Sequence, residues 1–158
     1  PLAVDADGCK QIIRTGNNIN GKVSAFDGFQ IRYATPYVEM AKRIKRGDIG
    51  EVVTVQLYYL SSGAAIHPHE GMSYDETRIR NHYHFHEISG GCYLDQAIHM
   101  IDVCNWILGD TPLYAIGDGG KKGGVDFGNA WTNYQVIYKY PNDVNVSVHS
   151  SKFGKVFG

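Results

Sequence analysis

The stretch from residue 89 to residue 109 constrains the fold more than any other part of this chain. It reads SGGCYLDQAIHMIDVCNWILG, and its apolar residues cover most of the circumference of a helix. Ser89-Gly90-Gly91 makes a flexible approach to the helix, and Gly109 can adopt the left-handed conformation that ends one. The pattern therefore predicts a single helix over 90–109 that is buried on nearly all sides.

One narrow polar stripe interrupts this apolar surface. Asp95, His99 and Asp102 follow each other at the spacing i, i+4 and i+7, and Trp106 continues the line, so these side chains share one helical face. A buried carboxylate and imidazole are costly unless they pair or line a cavity. Asp95 can hold the ring of His99 and favour its protonated form, which suits a general acid/base. The alternative is a core histidine that a neighbouring carboxylate satisfies.

The glycine pair, the D-x-x-x-H pattern of Asp95 and His99 and the WILG ending together resemble the signature helix of the Gfo/Idh/MocA family of nicotinamide-dependent sugar and polyol oxidoreductases. Residues 28–33 (GFQIRY) and 47–52 (GDIGEV) are similar to the segment that joins the two domains of that family. The opening PLAVD is similar to the end of the family's Glu-Lys-Pro motif. The resemblance implies that the chain begins at the proline of that motif and lacks most of a Rossmann domain.

The resemblance also implies a reaction and a set of roles. The parent protein is expected to move a hydride between NAD or NADP and a secondary alcohol of a sugar or cyclitol. His99 would relay the proton of the substrate hydroxyl, Asp95 would orient and tune His99, and Pro1 would belong to the cofactor-binding motif. Arg32 and Tyr33 would lie near the substrate or cofactor. This fragment alone is expected to be inactive, and an NAD-dependent glycosidase of the same family and a folded module without activity remain alternatives.

A second group of candidate residues precedes the predicted helix. His82, His84 and His86 alternate with aromatic residues, so their imidazoles would share one face of an extended segment, and His67, His69 and Glu70 could join them. Three imidazoles can hold zinc, which leaves a metal-dependent enzyme as a further alternative. The family resemblance instead favours hydrogen bonds from His84 and His86 to substrate hydroxyls, with no metal.

The remaining patterns predict an α+β fold. Residues 1–33 would be the last helix and strand of a Rossmann domain, and residues 34–158 a truncated substrate and oligomerisation domain with a mostly antiparallel open sheet. The predicted elements are a short helix capped by Asp5 that ends near Gly16, an extended segment over 22–33, a helix from Thr35, a strand over 52–59, a strand over 113–116, a glycine-rich hairpin loop over 117–124 and a hairpin of strands 131–140 and 144–148.

Composition narrows the choice of partner. The formal net charge is -1, with 15 basic and 16 acidic residues spread along the chain, so neither nucleic acid nor a membrane surface is an expected partner. The three cysteines show no disulfide framework. The expected partners are a small sugar or polyol and a second copy of the chain, because an open sheet with a bare edge invites pairing. No targeting signal indicates a compartment, and the cytoplasm is the default expectation.

Overall fold

A computed structural model describes residues 2–19, 21–67, 70–123 and 126–152 of the chain. Its α-helices are α1 (Ala6–Ile19), α2 (Thr35–Arg46), α3 (Tyr74–Arg80), α4 (His86–Ser89) and α5 (Ile98–Leu108). Its strands are β1 (Thr54–Leu60), β2 (Tyr114–Gly120), β3 (Asn133–Lys139) and β4 (Asn145–Ser151). Short 3-10 helices cover Gln30–Tyr33, His82–His84 and Pro141–Asp143, and a π-helix covers Tyr93–Ala97. None of the helices in these described ranges is both long and apolar enough to cross a bilayer.

The four strands form one mixed sheet in the order β1-β4-β3-β2. β1 pairs with β4 in parallel, while β2 pairs with β3 and β3 with β4 in antiparallel fashion. The predicted hairpin is confirmed, and its turn uses Asn142 and Asp143 at φ of 57° and 61°, a left-handed conformation that these two residue types tolerate. The α+β class and the mostly antiparallel sheet are therefore confirmed.

The core lies between one face of the sheet and the helix predicted to be central. Alternate residues of β1 are partly buried and exposed, as the sequence pattern requires of a half-buried strand. Ala97, Ile101 and Cys104 pack against the inward side chains of β4 and its preceding turn, which include Val146 and Val148. The helix is therefore central to the fold, with its interior face against the sheet.

The predicted single helix over 90–109 is wrong in one respect. The helical stretch runs from residue 91 to residue 108 and ends at Gly109 as predicted, with φ of 71°, but its second turn is the π-helix Tyr93–Ala97. A π-turn inserts an extra residue relative to an α-turn and therefore changes which side chains share a face. Asp95 lies inside this turn, and His99 lies just after it.

Three other local predictions need correction. The helix α1 continues past Gly16 to Ile19, and residues 30–33 form a 3-10 helix where an extended segment was expected. Gly117 to Gly120 belong to β2 and not to a hairpin loop. These glycines lie in the strand because β2 and β3 come close together there. A Cβ at Gly117 would lie 2.7 Å from Cγ2 of Val136, and a Cβ at Gly119 would clash with the carbonyl oxygen of Asn133. Glycine lets β2 approach β3 at these positions.

The apolar face of α1 does not point into the core. Cys9 and Ile12 are exposed, and Ile13 is 63% exposed, although all three were expected to pack inward. They line an open cleft instead. The proposed division of the chain at residue 33 stays a prediction.

Candidate functional site

The largest described cleft lies between α1 and the π-turn and start of α5. It encloses about 770 Å³, within the range of small-molecule sites. Cys9, Ile12 and Ile13 form its wall on the α1 side, and Asp95 and His99 lie on the opposite wall. Two of the predicted site residues therefore share one cavity, and most of the surface around them is apolar.

The π-turn positions Asp95 by contacts with the ends of two strands. Sγ of Cys92 lies 3.8 Å from Oγ of Ser150 at the end of β4. At the other end of the turn, Oγ of Ser61 donates a hydrogen bond of 2.9 Å to Oε1 of Gln96. The backbone nitrogen of Ser61 also donates to the carbonyl oxygen of Ser151 over 2.9 Å, which joins the two strand ends. The π-turn is thus fixed to the sheet on both sides of Asp95.

The imidazole of His99 is half-buried between two aromatic rings. The ring of Phe29 meets it edge-on with centroids 5.9 Å apart, and the ring of Tyr59 lies 6.3 Å away. Nδ1 of His99 is buried and has no hydrogen-bond partner among the described residues. Asp95 therefore does not hold this nitrogen, contrary to the expected contact between the two side chains. Because Nδ1 is enclosed by protein, His99 can exchange a proton with a ligand in the cleft only through Nε2.

Arg32 and Tyr33 do not line this cleft. Nε and Nη2 of Arg32 donate to the two carboxylate oxygens of Asp102, and the guanidinium lies 5.8 Å from the ring centroid of Trp106. These hydrogen bonds raise the pKa of Arg32 above its ordinary value. Tyr33 is 70% exposed and packs beside Phe26. The structure thus separates both residues from Asp95 and His99, and their expected roles at the substrate stay predictions.

The expected extended arrangement of the histidines is wrong. His82 and His84 lie in a 3-10 helix and His86 begins α4, so the three imidazoles do not share one face of a strand. His82 packs against Tyr83, and the Nε2 atom of His84 is 3.4 Å from the carbonyl oxygen of Ala65. Burial lowers the pKa of His84 below its ordinary value of 6.5.

The same segment offers no metal centre in the part of the chain that the structure describes. Nowhere in those residues do three side chains of histidine, cysteine, aspartate or glutamate come together in a way that could hold a metal ion. His69 lies outside the described residues, and so does Pro1, the residue expected to belong to the cofactor-binding motif. The roles of His84 and His86 toward a substrate stay predictions.

Two features of the site region were missed in the sequence. Phe29, which contacts His99, lies in a segment that was read as an extended stretch joining two domains, and no role at the site was predicted for it. Lys152 directly follows β4 and is buried, although a lysine at the end of a strand is ordinarily exposed. No local pattern marks either residue, because both depend on contacts with distant parts of the chain.

Several solved structures share this fold. A protein from Thermotoga maritima is 22% identical, with a TM-score of 0.79 over 100% of this chain and 44% of that one. A myo-inositol 2-dehydrogenase from Lactobacillus plantarum is 22% identical, with a TM-score of 0.68 over 98% of this chain and 42% of that one. An aldose-aldose oxidoreductase from Caulobacter crescentus, complexed with glycerol, is 16% identical, with a TM-score of 0.74 over 96% and 41% of the two chains.

At these identities the likeness establishes a common fold, and this chain spans less than half the length of each of those proteins. No curated protein sequence matches the chain. The family assignment comes from a match over most of the sequence. Residues 37–155 match the model of the GFO/IDH/MocA C-terminal domain, and the chain belongs to that family.

Proposed function

We propose that this chain carries the proton-transfer part of an oxidoreductase that acts on a secondary alcohol of a sugar or cyclitol, with NAD or NADP as the hydride carrier. The observation that carries the proposal is the shared cleft of Asp95 and His99, opposite the apolar face of α1. Structures with this fold include proteins named as a myo-inositol 2-dehydrogenase and an aldose-aldose oxidoreductase, which supports the substrate class.

The cleft suits a flat ring beside an ionisable pair. Its wall of apolar side chains from α1 and Phe29 can enclose such a ring, and His99 and Asp95 face the same space. When bound, a nicotinamide supplies the site that accepts the hydride. The protein's own contribution is to exclude water from one side of the cleft and to place an imidazole at the substrate hydroxyl.

His99 takes the proton in this proposal. Nε2 accepts it from the hydroxyl as the carbon–hydrogen bond breaks, while the buried Nδ1 stays away from the reaction. Asp95 lies on the same wall of the cleft as His99 and contributes a negative charge near the imidazole that takes the proton. The rings of Phe29 and Tyr59 restrict the orientation of His99.

The test uses the full-length product of the open reading frame, assayed for reduction of NAD and NADP with a panel of sugars and cyclitols. His99→Ala should lower kcat by about 10² or more, the scale of lost acid/base catalysis. His149→Gln is the matched control, because His149 stacks on Tyr58 on the face of the sheet away from α5. An unchanged kcat in His99→Ala would exclude His99 from the mechanism.

The same assay separates the alternatives. Hydrolysis of an aryl glycoside that requires NAD but produces no net NADH would identify a glycosidase. A full-length protein that neither quenches NADH fluorescence nor turns over any member of the panel would support a folded module without activity. If metal removal abolished turnover and a divalent ion restored it, the result would support the metal-dependent alternative.

A further inference from the structure

A closed series of contacts connects His99 with Asp102, a residue further along the same helix. Both residues lie in α5, at a spacing that puts them on one helical face. Asp102 accepts two hydrogen bonds of 2.7 Å from Arg32, in the 3-10 helix that directly follows Phe29. The ring of Phe29 in turn meets the imidazole of His99, with centroids 5.9 Å apart. The contacts that leave α5 at Asp102 therefore return to it at His99.

The backbone of Phe29 is fixed on both sides. Its φ of -72° and ψ of 77° are close to those of an inverse γ-turn, and the nitrogen of Gln30 donates to the carbonyl oxygen of Gly28 over 2.8 Å across it. The nitrogen of Arg32 donates to the carbonyl oxygen of Phe29 over 3.2 Å. Because these bonds join Phe29 and Arg32 in one compact turn, the Phe29 ring moves together with the residue that anchors the turn.

Arg32 provides that anchor. Its guanidinium binds one carboxylate through two nitrogens, a bidentate geometry that fixes the direction of the side chain as well as its position. Its Cζ atom also lies 5.8 Å from the ring centroid of Trp106, one helical turn beyond Asp102 in α5. The Asp102 side chain is 11% exposed, so little water competes for its oxygens. The turn that carries Phe29 is thus attached to α5 through Asp102.

The surroundings of His99 show why this attachment matters for the imidazole. Nδ1 is buried without a hydrogen-bond partner among the described residues, so no hydrogen bond at that nitrogen sets the angle of the ring. Packing against Phe29 and Tyr59 sets it instead. Tyr59 belongs to β1, whereas Phe29 belongs to the turn that Arg32 anchors. A displacement of a reacting group by about 1 Å can lower a rate by about 10².

We propose that Asp102 is a positioning residue for His99 and acts through Arg32 and Phe29. Its ion pair with Arg32 keeps the Phe29 ring against the imidazole, and this packing keeps Nε2 directed into the cleft. Asp102 itself contacts neither substrate nor cofactor. The effect on catalysis rests on the proposed function, but the packing of Phe29 on His99 can be measured without turnover.

The first test follows the His99 ring by NMR in the full-length product of the open reading frame, labelled in its histidines. The ring-proton shifts of His99 carry the ring current of Phe29, and His99→Gln identifies the signal by its loss. Asp102→Asn and Phe29→Leu should both move this signal, and in the same direction. Asn105→Ala is the matched control on the same helix, because it removes the hydrogen bond of 2.6 Å from Tyr140 but lies outside this series of contacts. A His99 signal that stays in place in Asp102→Asn would overturn the proposal.

The second test uses kinetics to separate positioning from stability. At a temperature where the variants are folded, Asp102→Asn and Arg32→Lys should each lower kcat by about 10-fold or more. KM should change by less than about twofold, because neither side chain lines the cleft. Asp102→Glu retains the carboxylate and should recover most of the loss. Arg32→Lys keeps the charge but not the planar fork, so it decides the question if Asp102→Asn does not fold.

A double variant tests whether Asp102 acts through Phe29. Combining Phe29→Leu with Asp102→Asn should lower kcat no further than Phe29→Leu alone, since the ring that transmits the effect is already absent. Losses that multiply in the double variant, or a kcat of Asp102→Asn equal to that of wild type, would overturn this proposal. If His99→Ala still lowers kcat in that case, the proposed function stands without it. An unchanged kcat in His99→Ala would instead count against the proposed function.

Discussion

Arg32 and Asp102 form a bidentate ion pair. Nε and Nη2 of Arg32 each donate a hydrogen bond of 2.7 Å to one carboxylate oxygen of Asp102. The Asp102 side chain is only 11% exposed, so this pair is partly shielded from solvent. It joins the 3-10 helix Gln30–Tyr33 to α5 across 70 residues of sequence. Phe29, which precedes that 3-10 helix, packs against His99. The pair therefore fixes the segment that forms one side of the His99 environment.

Asp102→Asn should lower the free energy of unfolding by ~1–2 kcal/mol, because it removes a charged hydrogen-bond acceptor from a partly buried pair that solvent still screens on the Arg32 side. Glu39→Gln is the control, since Glu39 pairs with Arg43 at 2.8 Å on an exposed face of α2. That change should cost less than about 0.5 kcal/mol. Urea unfolding of both variants measures the difference, and equal losses would contradict the structural role of Asp102.

Gly91 should tolerate substitution much less well than Gly109. Both have a left-handed backbone, with φ of 70° and 71°, so alanine costs ~1–2 kcal/mol at either position through strain alone. At Gly91 a Cβ would also lie 2.6 Å from the hydroxyl oxygen of Tyr134, whereas nothing lies within 4 Å at Gly109. Gly91→Ala should therefore lower the denaturation midpoint more than Gly109→Ala.

Removing the Tyr134 hydroxyl tests the cause of that difference. In a Tyr134→Phe background, Gly91→Ala should recover part of its lost stability, because the next atom of the ring lies 3.6 Å from the added Cβ. Gly109→Ala should cost the same in both backgrounds. A Gly91→Ala cost that does not change in the Tyr134→Phe background would show that the clash is not its source.

Local periodicity explains what could be predicted from the sequence. The alternation in β1, the hairpin turn at Pro141-Asn142-Asp143 and the helix end at Gly109 each depend on residues close together in the chain. The π-turn does not, because it is fixed by the contacts of Cys92 with Ser150 and of Gln96 with Ser61. The spacing of Asp95 and His99 is local, so their position on one cleft could be predicted. The absence of a direct contact between their side chains could not be predicted, because it follows from the π-turn.

The histidine segment shows the opposite case, in which a local pattern misleads. Alternating histidines and aromatics are typical of a strand, but two asparagine side chains accept hydrogen bonds from backbone N–H groups in this region. Oδ1 of Asn81 accepts from the backbone nitrogen of His67 over 2.7 Å, and Oδ1 of Asn129 accepts from that of His86 over 2.8 Å. These side chains stabilise turns in place of a strand ladder. Neither partner lies close enough in sequence to be recognised in advance.

Tyr134 should make the protein less stable at alkaline pH. Burial raises the pKa of Tyr134 from its ordinary value of 10.0 to about 12. Between these values the unfolded chain has lost the phenolic proton and the folded chain has retained it, so the free energy of unfolding falls as the pH rises through this window. Tyr134→Phe should make that fall shallower, as measured by urea unfolding at several pH values.

Tyr114→Phe is the control for this prediction, because Tyr114 is exposed in β2. It should leave the alkaline slope of the wild-type protein unchanged. Slopes that are the same for Tyr134→Phe and Tyr114→Phe would show that Tyr134 titrates in the folded protein as it does in the unfolded chain.

The face of the sheet away from α5 is expected to mediate self-association of the protein. Ile116 and Ile137 are directly opposite each other on β2 and β3, and they are 70% and 57% exposed. Adjacent exposed apolar side chains of this kind are typical of protein interfaces. We expect a second copy of the chain to cover this face, and Ile137→Lys should shift the protein toward monomer in sedimentation velocity. Ile79→Lys, at an exposed position on α3, should leave the distribution unchanged. A monomeric wild-type protein, or equal distributions for Ile137→Lys and wild type, would exclude this face as the interface.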